Sequence, residues 1–253
     1  MRAPTIKATM QRRILVNYRV EPATLEALLP QPFRPAIVGG YGIAGICLIR
    51  LGDVRPAGVP SSLGVTSENA AHRIAVEWDT PDGPVAGVYI VRRDTSSRLT
   101  VLVGGRLFPG WHRRADFLVE ETGGSYRVEV KSRDGEVDVV VAAHGTNDAM
   151  DGSVFGNIDE ASAFFRRAPL GYAATPRAGM YDGVTLVADG WAFQQLRLDD
   201  VRSSFFDDPH HFPAGTAVPD SAFLMAGLKT TWCAQPSLRT APGSDISPAR
   251  HAP

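Results

Sequence analysis

The residues best suited to chemistry lie in one stretch of the sequence, Ser67–Asp79 (SENAAHRIAVEWD). In an extended strand successive side chains point to opposite faces, so Glu68 and His72 share a face with Ala70, Ile74, Val76 and Trp78. A carboxyl group on an apolar face must be paired or protonated, and this environment shifts the pKa of a catalytic acid or base. A structural role is equally open, in which Glu68 pairs with an arginine near the mouth of a barrel.

The spacing within this stretch excludes a metal site. At ~3.3 Å per residue, Glu68 and His72 lie roughly 13 Å apart along the strand. This separation is too large for the two side chains to bind one metal ion or to act as a direct acid and base pair. We therefore predict no metal site and treat the two residues as separate candidates for catalysis.

The stretch is expected to form the first strand of a β-hairpin. Asp82–Gly83 is a strong turn signal, and Val85–Arg93 is predicted to return as the antiparallel partner. The return strand ends in a polar cluster, Arg92–Ser97. Because a hairpin folds back on itself, this cluster should lie beside Glu68 and Asn69. An arginine there would hold Glu68 ionised, whereas burial alone would keep it protonated, and the sequence leaves both states open.

The rest of the chain must position these side chains, and its pattern is that of a mainly β domain. Short apolar segments are separated by 25 glycines and 19 prolines, which favour frequent turns. Apolar patterning predicts further strands at Arg13–Val20, Tyr41–Leu51, Tyr126–Lys131, Val137–Ala142, Val184–Val187 and Ala192–Val201. Short helices are predicted after Pro22 and at Asp159–Ala168, the second one capped by Asp159.

We expect one domain rather than two. Residues 1–10 would be an N-terminal extension, residues 11–234 the domain, and residues 235–253, which are polar and proline-rich, a disordered tail. A chain of 253 residues is long enough to bury about 70 to 75 % of its unfolded surface.

Composition excludes several classes of partner. The formal net charge is −1, with 26 basic and 27 acidic residues, which gives no field to hold nucleic acid or an anionic membrane. The N-terminus lacks the ~7 to 15 apolar residues of a signal peptide, and no stretch approaches the ~18 apolar residues of a membrane span. Cys47 and Cys233 show no metal or redox spacing, so we interpret them as buried thiols of a cytoplasmic protein. No dinucleotide or phosphate-binding motif is present, and no cofactor is expected.

Several of these segments together resemble a known family. They are ILVNYRV, GICLIRL, SENAAHRIAVEW, VRRDTSS and GGRLFPG. The chain resembles the YqjF-like family of uncharacterised bacterial proteins, within the acetoacetate decarboxylase-like superfamily, over roughly Gln11–Trp232. The resemblance implies a mainly β fold, a large closed or nearly closed barrel with a few short peripheral helices and a ligand pocket inside one end.

The resemblance also implies that the decarboxylase nucleophile is missing. The decarboxylases of this superfamily form a Schiff base between a buried lysine and a β-keto acid, which requires a neutral amine. The segment similar to the lysine-bearing one is Gly105–Arg113, and it contains only arginine as a long cation. One decarboxylase glutamate falls on Glu68, the other falls near Gly45–Cys47 where no acid exists, and their arginine falls near Arg12 or Arg13. We therefore expect the chain to keep the ligand pocket of the superfamily and to lack its nucleophilic lysine.

Three hypotheses for function follow. The first is an enzyme acting on a small carbonyl or carboxylate compound without a Schiff base, in which Glu68 is the acid or base and His72 or His112 orients or shuttles a proton. Arginines would clamp a carboxylate or stabilise an enolate. The predicted substrate-binding residues are Arg13, Asn69, Arg93, Asp94, Ser97, Arg106 and Arg113.

The second hypothesis is a non-catalytic protein that binds a small ligand in the same pocket, and the third is a decarboxylase that uses Lys229. Structural roles remain open for individual residues, because Arg93 could pair with Asp94 and His72 could be a core histidine. A small molecule is the expected partner in every case. A homo-oligomer stays open because superfamily members assemble.

Overall fold

Long alternating and continuous apolar segments make this chain a single large β-sheet with few helices. The structure is a computed structural model that describes residues 5–103, 110–175 and 177–239. The strands are β1 Ile6–Val20, β2 Arg34–Pro35, β3 Ile37–Val38, β4 Tyr41–Pro56, β5 Val65–Thr80, β6 Gly83–Thr95, β7 Arg113–Thr122, β8 Ser125–Ser132, β9 Asp138–Gly145, β10 Leu170–Ala174, β11 Met180–Ala188, β12 Gln194–Ser203 and β13 Ala217–Arg239. The α-helices of the described part are α1 Pro22–Leu28, α2 Arg98–Val103 and α3 Ile158–Arg166.

The strand pairings make the sheet approximately closed. Strands β13, β1, β4, β5 and β6 are neighbours in that order. From β6 one path continues through β10 to β11, which pairs back to β13. A second path leads from β6 through β7, β8, β9 and β12 and also returns to β13. The predicted mainly β architecture with a few short helices is confirmed.

Two closed paths bury both faces of the shared strands. In β5, the even-numbered Ala70, Ile74, Val76 and Trp78 belong to one hydrophobic cluster, whereas Ala75 belongs to the other. Strand β4 is buried without interruption from Gly42 to Ile49, as its continuous apolar sequence predicts. Each of these strands therefore separates two interiors, and alternate side chains enter different ones.

The hairpin between β5 and β6 forms as predicted. Gly83 adopts a φ of +115°, which only glycine takes up readily, and Thr80 Oγ1 donates to its carbonyl at 2.7 Å. The register pairs Asn69 with Thr95, and Ser96 N donates to Glu68 O at 2.8 Å. The prediction that the polar cluster lies beside Glu68 and Asn69 is confirmed.

Helix α3 begins earlier than the sequence pattern indicated. Its N-cap is Asn157, which has an extended backbone and accepts a hydrogen bond from Glu160 N at 2.9 Å. Glu160 in turn accepts from Asn157 Nδ2 and Gly156 N, each at 3.0 Å. Two reciprocal contacts favour Asn157 over Asp159 as the cap, and Asp159 lies in the first turn instead.

Both ends of the domain extend beyond the predicted limits. Strand β1 starts at Ile6, inside the predicted N-terminal extension, because Ile6 pairs with Trp232 of β13. Strand β13 runs to Arg239, and Gln235 within it pairs with Gly183 of β11. Ordered structure therefore continues into the predicted tail. Residues 240–253 lie outside the described residues. No helix in the described part of the chain is long and apolar enough to span a membrane.

Candidate functional site

A cavity of about 160 Å³ lies on the face of β5 that carries Asn69 and Arg73. Its walls are mostly apolar and come from seven strands, β1, β4, β5, β6, β10, β11 and β13, and from the helices α2 and α3 and nearby loops. The apolar lining residues include Cys47, Ile49, Leu51, Ala71, Val88, Ile90, Phe165, Val184, Leu186, Trp191 and Trp232. The charged and polar groups in the wall include Arg13, Asn69, Arg73, Arg93 and His112.

Arg13 projects from β1 into this cavity and has only sulfur atoms as hydrogen-bond acceptors among the described residues. Its Nε donates to Cys47 Sγ at 3.4 Å and its Nη1 to Met225 Sδ at 4.0 Å, while the guanidinium carbon lies 6.0 Å from the Trp191 ring centroid. Thiol and thioether sulfurs are weak acceptors. The guanidinium therefore keeps most of its capacity to donate hydrogen bonds to an anion.

Arg73 is a buried cation in the same wall, with 4 % of its surface exposed. Its Nη2 donates to Asn17 Oδ1 at 2.5 Å, and its guanidinium carbon lies 4.8 Å from the Phe165 ring centroid. Its Nε and Nη1 are buried and have no hydrogen-bond partner in the described part of the chain. Burial lowers the pKa of Arg73 to about 10, so the group still carries its charge at pH 7.

Arg93 and His112 are two further polar residues of the cavity wall. Burial lowers the pKa of Arg93 to about 10, and the negative charge of Asp182 opposes this change. Burial first and the Arg93 charge second lower the pKa of His112 to about 3, so its imidazole is neutral at pH 7. Gly110 has a φ of +90°, and a Cβ there would lie 2.0 Å from Arg93 Nη1. A side chain at this position would therefore have to displace Arg93 Nη1, and the positive φ also favours glycine.

Asn69 is held in the cavity wall by hydrogen bonds at both ends of its amide. Its Nδ2 donates to Ile49 O at 3.2 Å and to Ser67 Oγ at 3.0 Å, and its Oδ1 accepts from Thr95 Oγ1 at 2.8 Å. These contacts fix the wall at the open end of the β5–β6 hairpin.

Glu68 and His72, the two predicted catalytic residues of β5, lie on the other face of the strand and do not line the cavity. Glu68 accepts hydrogen bonds from Arg12 Nη2 at 2.6 Å and from Arg50 Nε at 2.5 Å. Glu121 completes this group of charges by pairing with the same two arginines. The ion pair with arginine that the sequence left open is therefore present.

His72 occupies a closed position in the first hydrophobic cluster, with 1 % of its surface exposed. Its Nε2 lies 3.2 Å from Ser203 Oγ, and its ring centroid lies 5.1 Å from that of Phe205. Burial, with a smaller effect from Arg92, lowers the pKa of His72 to about 3. These contacts are those of a core histidine.

The other predicted substrate-binding residues are divided between the cavity and its surroundings. Asp94 lines the cavity but is fully buried, and it accepts from Arg92 Nη2 at 2.8 Å rather than pairing with Arg93. Arg113 is exposed and pairs with Asp134 at 2.9 Å. Ser97 Oγ accepts from Thr100 N at 3.1 Å at the start of α2. Arg106 lies outside the described residues.

The three lysines of the chain are all exposed. They are Lys7, Lys131 and Lys229, and none of them lines the cavity. The exposure of Lys131 confirms its predicted orientation toward solvent. Among the described residues, no group of three or more His, Cys, Asp or Glu side chains is placed to bind a metal ion.

The sequence prediction missed Arg73, Cys47 and the two tryptophans of the cavity. A signal for Arg73 was present, because it shares the odd-numbered face of β5 with Asn69 and with the small Ala71. Small side chains on a strand leave room for a cavity. Trp191 and Trp232 reach the cavity through long-range packing, for which the local sequence gives no signal.

The comparison with family models identifies the chain. The model of DUF2071, described as an uncharacterized conserved protein, matches residues 7–224. The chain belongs to the DUF2071 family. The comparison of this DUF2071 chain with curated protein sequences gives no match.

Solved structures with a similar fold are acetoacetate decarboxylase-like. An acetoacetate decarboxylase from Legionella pneumophila is 12% identical with a TM-score of 0.60, over 94% of this chain and 88% of that one. An acetoacetate decarboxylase-like enzyme from Sphingomonas wittichii RW1 is 12% identical with a TM-score of 0.59, over 95% and 94% of the two chains. The enduracididine biosynthesis enzyme MppR, solved with pyruvate, is 11% identical with a TM-score of 0.56, over 93% and 90%. These likenesses confirm the predicted acetoacetate decarboxylase-like fold of this DUF2071 protein.

Proposed function

We propose that this DUF2071 protein binds a small organic carboxylate in the cavity. The observation that carries the proposal is the pair of guanidinium groups, Arg13 and Arg73, which have no carboxylate partner among the described residues. Arginine recognises carboxylates through two parallel hydrogen bonds. A bound carboxylate would supply the missing acceptors and offset the cost of burying the Arg73 charge.

The size and the lining of the cavity narrow the class of ligand. A volume of about 160 Å³ is close to that of engineered cavities of ~150 Å³ that bind benzene. The ligand therefore has few carbon atoms, and the apolar wall favours a short apolar group next to the carboxylate. MppR, which shares the fold, has been solved with pyruvate. A 2-oxo carboxylate is the class that we propose.

A second candidate function is an enzyme that acts on the same carboxylate without a Schiff base. The position of His112 in the cavity wall, next to Arg93, favours it. A neutral imidazole can take part in proton transfer, and an arginine can stabilise negative charge that develops on a carbonyl oxygen. Glu68 and His72 have no part in this candidate because their side chains are engaged elsewhere. The exposed position of Lys229 counts against the decarboxylase alternative.

A ligand-dependent thermal shift tests the proposal. The full-length protein would be heated with pyruvate, with longer 2-oxo acids, with β-keto acids and with the neutral amide of each acid that produces a shift. A ligand at about 100 times its dissociation constant contributes about 2.7 kcal/mol, which raises the midpoint by roughly 5 to 10 °C. We expect shifts with acids and none with amides.

Two variants make this test specific to the cavity. Arg13→Gln should reduce the shift to about half or less, whereas Arg197→Gln, at an exposed arginine that pairs with Asp148 at 2.9 Å, should leave it unchanged. Equal shifts with acid and amide, or no shift with any acid at millimolar concentration, would contradict the proposal.

Our remaining proposals concern location and partners. A cytoplasmic location and the absence of a nucleic-acid partner rest on composition, above all on the net charge of −1. A homo-oligomer rests on the resemblance alone, and size-exclusion chromatography with light scattering would decide it.

A further inference from the structure

The cavity contains a thiol that neither proposed function uses. Cys47 lies on β4, lines the cavity and is the acceptor of the hydrogen bond from Arg13 Nε, at 3.4 Å from Sγ. Its immediate neighbours on the strand are Ile46 and Leu48, which face the other interior. The sulfur is thus the one nucleophilic atom of β4 that reaches the wall beside Arg13.

A second cation stands next to this thiol. Arg73 interacts electrostatically with Cys47, and it is the buried residue whose Nε and Nη1 have no partner in the described part of the chain. Two guanidinium groups therefore share one wall with one sulfur atom.

We propose that Cys47 forms a covalent bond with the electrophilic carbon of a carboxylate that Arg13 and Arg73 hold in the cavity. This inference rests on the proposed carboxylate binding and adds a nucleophile to it. A carboxylate that accepts hydrogen bonds from Arg13 brings its adjacent carbon close to Cys47 Sγ, because the same guanidinium contacts both groups.

The chemistry is an addition that needs no oxidant. With a 2-oxo carboxylate, Sγ forms a bond to C2, the π electrons of the carbonyl move to its oxygen, and the thiol proton ends on that oxygen. The product is a hemithioketal, and its formation is reversible. Cys47 would thus take the place of the missing Schiff-base lysine as the residue that bonds covalently to the ligand.

Alkylation with a charged and a neutral reagent tests this inference in the native protein. Iodoacetate carries the carboxylate and iodoacetamide does not, yet both alkylate a thiol in the same way, as the C–S bond forms and iodide leaves. Cys233 is an internal control, because it is a free, partly exposed cysteine that does not line the cavity. Peptide mass spectrometry gives the rate at each cysteine.

We expect the ratio of the iodoacetate rate to the iodoacetamide rate to be at least roughly tenfold higher at Cys47 than at Cys233, the factor that one charge-assisted hydrogen bond provides. Arg13→Gln should lower the ratio at Cys47 to that at Cys233, and Arg197→Gln should not change it. A saturating 2-oxo acid should slow alkylation of Cys47 alone.

Two outcomes would overturn the inference. One is an equal ratio at the two cysteines, and the other is a Cys47 that stays unmodified by both reagents while Cys233 reacts. Calorimetry on Cys47→Ser separates this failure from failure of the proposed function. If Cys47→Ser binds the carboxylate at native affinity, and Cys47 of the native protein shows no preference for iodoacetate, the binding function stands and the proposed nucleophile is wrong.

Discussion

Glu68 and Arg73 lie on the two faces of the same strand, and their charges are in opposite situations. Glu68 accepts hydrogen bonds from two arginines, and both of those arginines also pair with Glu121. Arg73 donates one hydrogen bond, to the amide oxygen of Asn17. Its buried Nε and Nη1 have no hydrogen-bond partner in the described part of the chain. A charge whose partners are already present stabilises the fold, whereas a charge that lacks them has capacity left for a ligand.

At pH 7 the largest expected effect comes from breaking the ion pairs of Glu68. Glu68→Gln should lower the free energy of unfolding by about 3 kcal/mol, because it leaves the buried Arg12 with one carboxylate instead of two. The affinity for the carboxylate ligand should stay within about twofold. Urea denaturation and calorimetry measure the two quantities.

Glu77→Gln is the matched control for this change. Glu77 lies on the same strand, and its pair with Arg34 at 3.9 Å is exposed, so its loss should cost less than about 1 kcal/mol. A large loss of ligand affinity in Glu68→Gln with unchanged stability would mean that the faces have been assigned to the opposite roles.

The next effect concerns acid, and it sharpens the description of His72 as a core residue. The pKa of His72 is about 3 in the folded protein and about 6.5 when unfolded, so the folded state binds fewer protons between these values. Its contribution to stability is therefore complete above pH 6.5 and is lost as the pH falls toward 3, by about 1.4 kcal/mol per pH unit.

Denaturation curves at pH 7, 6, 5 and 4 would measure this loss. His72→Gln should make the pH dependence less steep, and the remaining slope in this range should include that of His112, which has a similarly lowered pKa. His210→Gln, at an exposed histidine, is the control. An unchanged slope in His72→Gln would show that His72 is accessible to protons in the folded state.

The smallest effect concerns the lysines. Lys229→Gln should change stability by less than about 0.5 kcal/mol and leave ligand affinity unchanged, because Lys229 is exposed and lies outside the cavity. Borohydride treatment with pyruvate or a β-keto acid should leave all three lysines unmodified. A reduced adduct on Lys229, found by peptide mass spectrometry, would restore the Schiff-base decarboxylase.

The parts of this fold that depend on local signals could be predicted from the sequence. The turn at Asp82–Gly83 and the alternation around it were sufficient to place the polar cluster Arg92–Ser97 beside Glu68 and Asn69. Alternation also identified which residues of β5 share a face. These features depend on neighbours in the chain, whose spacing the sequence displays directly.

The choice of face could not be predicted in the same way. Alternation does not say which face of a strand encloses a cavity, and β5 is buried on both faces because the sheet closes through the distant pairing of β11 with β13. Glu68 and His72 attracted attention by residue type, yet their partners Arg12 and Ser203 come from other strands. Arg73 stood out only once Phe165 and Asn17 had been placed around it.

Isothermal titration calorimetry on Arg13→Gln tests the central claim most directly. The native protein, Arg13→Gln and Glu68→Gln would each be titrated with the 2-oxo acid that gives the largest thermal shift, at one pH and one ionic strength. We predict that Arg13→Gln weakens binding by about 10- to 100-fold, as expected for the loss of charge-assisted hydrogen bonds, while Glu68→Gln binds as the native protein does. Native affinity in Arg13→Gln together with lost affinity in Glu68→Gln would contradict the account.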